Sequence, residues 1–218
     1  MLLNYLYANF YEEASLLKQS QISRDKIQLF IREKRAPQPS YVIDANLGAV
    51  SFVSQATLSE NYRFYPKTYP NWLNILRSEK LDTGDKAKEY FKQAYQAAGQ
   101  SFFESKLGND LLEEHPTLPD YLTPVHFNET WDHFLGGVFG VCTRENLPQG
   151  IFEKQLLVRF IDYMKQHHSP ENISPLSKSR LQTAVSFLNK VEADFAPHEV
   201  PTTSRQRCIN DVREQYKI

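Results

Sequence analysis

Apolar residues recur three and four positions apart along most of the chain, and the places where that rhythm breaks divide it into segments. Leu2, Leu3, Leu6 and Phe10 predict a short first helix, and Ala14, Leu16 and Leu17 a second. After a break at Gln21-Ile22-Ser23, Ile27, Phe30 and Ile31 predict a third. Ser23 is a good N-cap for that helix, because its hydroxyl can accept from the free amides of the turn that opens with Arg24 and Asp25. Pro37-Gln38-Pro39 cannot propagate a helix, since each proline lacks an amide hydrogen and holds its predecessor extended. Tyr41-Val42-Ile43 and Ala49 to Val53 then predict a small hairpin with its turn at Asp44-Ala45-Asn46-Leu47-Gly48, while Ser54 to Glu60 reads as the start of a short helix.

From Asn61 the chain turns aromatic, with Tyr62, Phe64, Tyr65, Tyr69 and Trp72 interrupted by Pro66 and Pro70. Such rings either stack on nucleobases, line a pocket for a flat ligand, or pin a proline-broken connector to the core, and the last use is the commonest. A helix follows from Trp72 to Leu81. A long amphipathic helix is predicted from Asp85 to Leu107, with Gly99 inside it as the mark of a close helix crossing and Gly108-Asn109 as its stop. Asn128 caps a helix through Trp131, Phe134 and Leu135, and Gly136, Gly137 and Gly140 allow backbones to approach closely. Further helices are predicted over Ile151 to Met164, from Pro175 to Phe195, and from Pro201 towards Tyr216. The expectation is a mainly α protein: a winged-helix-like unit with a small hairpin at residues 1–60, and an α-helical unit at 61–218. No long flexible linker separates the two, so they can share one core.

Composition narrows the function classes. A formal net charge of −1 over 218 residues excludes a protein that coats nucleic acid or membranes by bulk charge, so any such contact must be local. Two distant cysteines, Cys142 and Cys208, exclude a cysteine zinc site. Met1-Leu2-Leu3 has no basic flank, and Asn4, Asn9, Glu12 and Glu13 interrupt it, unlike a secretory leader. No run approaches the roughly twenty apolar residues that span a bilayer. A cytoplasmic protein without membrane contact is expected.

Two short helices, a capped second helix, the Pro-x-Pro exit and the extended Ser40-Tyr41-Val42-Ile43 make the stretch from Phe10 to Tyr41 resemble the winged helix-turn-helix of phage excisionases and mercury-resistance regulators. That resemblance implies that the helix opening at Ser23 enters the major groove. It makes Ser23, Arg24, Lys26, Arg32, Lys34 and Arg35 candidate DNA contacts. The stretch holds six basic residues against four acidic ones, a small margin for a phosphate reader. It also carries Gln21 and Lys34 where that family carries glycine, at positions that favour a left-handed backbone. A retained helix-turn-helix with a protein partner is the alternative. The segment WDHFLGGVFGVCTR, taken with PQPSY, also resembles an uncharacterised bacterial family named for its occurrence beside natural-product biosynthesis genes. That second resemblance implies a pathway context and no catalytic residue.

Chemistry in the helical part is sparse. Trp131, His133 and Cys142 are the candidate lining of a small-molecule pocket. Cys142 needs a base to act as a nucleophile and otherwise reads as a buried structural cysteine. His126, Glu129 and His133 lack the spacing of the zinc and di-iron helical motifs, so no metal and no cofactor is expected. No Gly-x-Ser-x-Gly elbow and no phosphate loop occurs. The leading expectation is a non-enzymatic binding or regulatory protein that contacts DNA or a protein partner, with a homodimer or a ligand-sensing helical part as open options. The alternative is an enzyme or accessory protein of a biosynthetic pathway.

Overall fold

A computed structural model describes residues 2–218. Helix α1 (Leu2–Asn9) runs into a short strand β1 (Phe10–Glu12), and two helices follow, α2 (Glu13–Ser20) and α3 (Arg24–Arg32). Long strands β2 (Tyr41–Val50) and β3 (Gln55–Pro66) then form an antiparallel hairpin. The sheet has the order β1-β3-β2, because Phe10 to Glu12 pair with Phe64 to Pro66 on the far side of β3. The longer elements after β3 are α-helices: α4 (Tyr69–Ser78), α5 (Gly84–Glu104), α6 (Lys106–Glu114), α7 (Pro124–Leu135), α8 (Val138–Cys142), α9 (Pro148–His167), α10 (Pro175–Val191) and α11 (Asp211–Tyr216). A π-helical turn at Arg205–Asn210 leads into α11. The protein is mainly α with a small antiparallel sheet, as the periodicity predicts.

The α2–α3 turn forms for the reasons visible in its residues. Ser23 is extended, and its hydroxyl accepts from the Lys26 amide at 3.3 Å. Gln21 and Lys34 are left-handed, at φ 49° and 55°, so both positions adopt the conformation in which glycine would be relaxed. Beyond α3 the extended segment is strapped down through its backbone. The Tyr69 hydroxyl donates to Pro37 O at 2.7 Å, Trp72 Nε1 to Arg35 O at 2.8 Å, and the Gln38 amide to Leu135 O at 2.8 Å.

The hairpin differs from its expected form. Its turn lies at Ser51 to Ser54, and Asp44 to Gly48 are paired strand residues. Ser54 to Glu60 belongs to β3 and is not helical. Alternation explains the register: Tyr41, Ile43 and Leu47 face the same side as Phe64, Tyr62 and Leu58, whereas Asp44 and Asn46 sit opposite Asn61 and Ser59 on the polar side. The inner end of the apolar side is covered by α1, where Leu6, Phe10 and Phe64 are buried with Tyr5, Tyr41, Ile43 and Tyr62 packed round them. The outer end projects from the body of the protein.

The main core is continuous from α2 and α3 into the helical part. Leu16, Ile27 and Phe30 belong to the same buried cluster as Tyr69, Trp72, Phe91 and Phe134. Trp72 is the junction, with its ring 4.9 Å from Phe134 and 6.2 Å from Phe91. The aromatic run from Tyr62 to Trp72 therefore serves packing, on β3 and α4 and not on a connector.

Several helix ends are set by contacts the local sequence does not show. The long helix α5 stops at Glu104 because Ser105 turns extended and caps α6, accepting from the Gly108 amide at 3.0 Å. Gly108 lies inside α6, and a Cβ there would come within 2.7 Å of Phe103 Cα, so it permits the fold-back that sequence reads as a stop. Thr123, not Asn128, caps α7, with Pro124 following at the first helical position. Gly99 does mark a close crossing, since a Cβ would lie 3.0 Å from the Phe152 ring of α9.

Candidate functional site

The six candidate DNA contacts fall into two groups. Arg24 and Arg35 are engaged within the protein. Arg24 lies 2.7 Å from the buried Glu13 carboxylate of α2, which Arg63 of β3 approaches at 3.9 Å. One carboxylate therefore ties the first turn of α3 to the root of the hairpin, and a buried acid needs such a partner. Arg35 donates through Nε to Leu81 O at 2.9 Å, pairs with Glu33 at 3.0 Å, and lies 4.3 Å over the Phe30 ring. Ser23 is committed to its capping bond. Lys26, Arg32 and Lys34 are exposed; Lys26 rests 5.1 Å over the Phe30 ring, and none of the three enters an ion pair among the described residues. Asp25 and Glu33 are exposed beside them and dilute the charge.

Trp131, His133 and Cys142 do not come together as a pocket. Trp131 is buried in the aromatic core, 5.3 Å from Phe91 and 5.5 Å from Phe134. His133, two residues along α7, points to the opposite, exposed side, which is the separation helical phase imposes. Cys142 is buried at the end of α8, and its burial pushes the thiol pKa up although Lys154 opposes the shift. A thiol held protonated in this way is not an activated nucleophile. Among the described residues no group of three or more His, Cys, Asp or Glu side chains is placed to hold a metal ion.

The open space lies elsewhere, between α5 and the start of α7. A cavity of about 750 Å³ there is walled by Phe103, Leu122, Phe127 and Phe152, with Lys88, Lys92 and His126 also facing it. Tyr95 and His126 on its wall are held by a polar network behind them. The Tyr95 hydroxyl donates to Gln155 Oε1 at 2.7 Å and lies 3.3 Å from His126 Nε2, while Gln155 Nε2 donates to Thr130 Oγ1 at 3.0 Å. The Tyr95 hydroxyl thus lies between Gln155 and the His126 ring, and one hydrogen-bonded chain links α5, α7 and α9. Burial lowers the His126 pKa, with Glu129 opposing, which disfavours the charged ring. Periodicity puts Tyr95 on a helix face and His126 ahead of the expected cap; that they meet depends on where α7 begins and how it packs on α5.

A model of a family of unknown function, DUF6058, matches residues 87–217. No curated protein and no solved structure matches the chain. The matched region runs from the first turn of α5 to the end of α11, and so takes in the cavity and its network but leaves out α1 to α4 and the sheet. No helix among the described residues is long and apolar enough to cross a membrane. More than half of the sequence lies within the match, and the chain belongs to the DUF6058 family.

Proposed function

We propose that the protein is a non-enzymatic binding protein whose N-terminal part contacts DNA through α3. The observation that carries this reading is the exposed first turn of α3, presented by a capped, three-residue turn and flanked by a projecting hairpin. That arrangement suits insertion of one helix into a major groove, with neighbouring backbone and side chains against phosphates. Lys26, Arg32 and Lys34 are the cations free to make such contacts, whereas Arg24 must leave Glu13 to join them.

Titration of a labelled mixed-sequence duplex at low ionic strength tests the reading. The wild type should bind with a salt-dependent affinity, and Lys26→Ala with Arg32→Ala should flatten the salt dependence by about 0.9 in slope for each phosphate that is no longer neutralised. Absence of binding by the wild type would overturn the DNA reading.

One observation favours a protein partner as the second reading. From Tyr41 to Tyr62 the hairpin carries Asp44 and Glu60 and no basic residue, while Val50, Phe52 and Val53 at its tip stand exposed. An uncharged, apolar tip suits a protein surface better than a phosphate backbone. Sedimentation of the wild type and of Phe52→Ser separates self-association through the tip from a monomer that awaits another partner.

A further inference from the structure

The cavity between α5 and α7 belongs to no part of the DNA-contact reading, and its walls are specific enough to name a ligand chemistry. A volume of about 750 Å³ is within the range of small-molecule sites. A second space of similar size, lined by Ala94, Ala97 and Ala98, lacks a convergent polar network of this kind. In the first cavity Phe103, Phe127 and Phe152 come from α5, α7 and α9, and Gly99 lets the Phe152 ring pack close against α5. Three rings from three helices suit a flat, apolar ligand body.

Charge supplies the second element. The cavity's formal charges balance, Lys88 and Lys92 against Asp85 and Glu89, but their partners differ. Glu89 accepts from Gln93 at 3.0 Å, and Asp85 sits in the first turn of α5, where the helix dipole favours an acid. Lys88 donates to a neutral group, Asn128 Oδ1, at 2.9 Å, and Lys92 joins no ion pair among the described residues. Both lysines are half-buried, one turn apart on the same face of α5. Because burial disfavours the charged form of His126 and its Nε2 lies 3.3 Å from the Tyr95 hydroxyl, recognition of charge falls to these two lysines.

We propose that this cavity binds a small aromatic anion, of the carboxylate or sulfonate class, with its ring among Phe103, Phe127 and Phe152 and its anionic group at Lys88 and Lys92. The inner Tyr95–Gln155–Thr130 network holds the wall in shape before the ligand arrives, so little ordering opposes binding.

Two fluorescent probes test this on the full chain: 8-anilinonaphthalene-1-sulfonate, an aromatic anion, and N-phenyl-1-naphthylamine, its uncharged counterpart. The anion should bind the cooperatively melting wild type at one saturable site. Lys88→Gln with Lys92→Gln should weaken the anion by about tenfold, a loss of about 1.4 kcal/mol, and leave the neutral probe within about twofold. Gln96→Trp, on the exposed cavity side of α5, should block both probes, and Gln100→Phe serves as a second blocking variant should the first fail to melt cooperatively. No saturable binding, binding that survives a folded blocking variant, or equal loss of both probes in the lysine variant would overturn the proposal. Success or failure of the duplex titration leaves this result unaffected.

Discussion

Gly140→Ala is the sharpest structural perturbation that the fold offers. Gly140 lies in α8, where that short helix meets the extended segment after α3 and the end of β3. A Cβ there would overlap Ser40 Oγ and stand 2.9 Å from Pro66 Cγ. The proline ring is rigid, so overpacking costs about 1–3 kcal/mol. Ser40 can rotate away, but its hydroxyl then gives up its 2.8 Å bond to Gly137 O, at about 1 kcal/mol. Against these stands about 1 kcal/mol gained by alanine over glycine within a helix. The net expectation is a loss of about 2 kcal/mol, or about 4–8 °C in Tm for a chain of this size. Urea unfolding of the wild type, Gly140→Ala, Ser40→Ala and the double variant measures it. Ser40→Ala alone should cost about 1 kcal/mol, and the double variant should lose about 1 kcal/mol less than the sum, because the hydrogen bond is removed only once. A loss below about 0.5 kcal/mol in Gly140→Ala, or strict additivity, would refute the packing argument.

Other residues give independent expectations. Lys154 lies 3.4 Å from Glu192, whose carboxylate is fully buried, so Lys154→Met should destabilise by about 3–5 kcal/mol in urea by leaving that carboxylate without a counter-ion and with the Ser204 hydroxyl as its side-chain partner. Gln21→Gly should be neutral or stabilising by up to about 1 kcal/mol in a thermal melt, since relief of the left-handed backbone offsets the freedom glycine adds to the unfolded chain. Burial lowers the pKa of His115 and of His126, so the unfolded chain binds more protons through the histidine range, and stability should rise with pH there and be lost below about 6.5. His126→Gln, which cannot titrate, should show a shallower loss of urea midpoint between about pH 7.5 and 5.5 than the wild type; an unchanged slope would remove His126 from that account.

Features that depend on near neighbours were legible in the residues themselves. Helical periodicity located most helices, the Ser23 cap placed the start of α3, and Gly99 announced a helix crossing, because caps and three-to-four spacing act within one or two turns. Tertiary structure decided the rest. Asp44 to Gly48 has the composition of a turn but lies within β2, because pairing with β3 puts Asp44 and Asn46 on the polar side and leaves the turn to Ser51–Ser54. Arg24 and Arg35 look like free cations until Glu13 and Leu81, distant in sequence, are seen to hold them. Trp131, His133 and Cys142 are close in sequence yet separated by helical phase and burial. Tyr95, His126 and Gln155 are drawn from three helices into one hydrogen-bonded wall. Such a site arises from helix–helix packing, and pairings across tens of residues leave no local pattern to read.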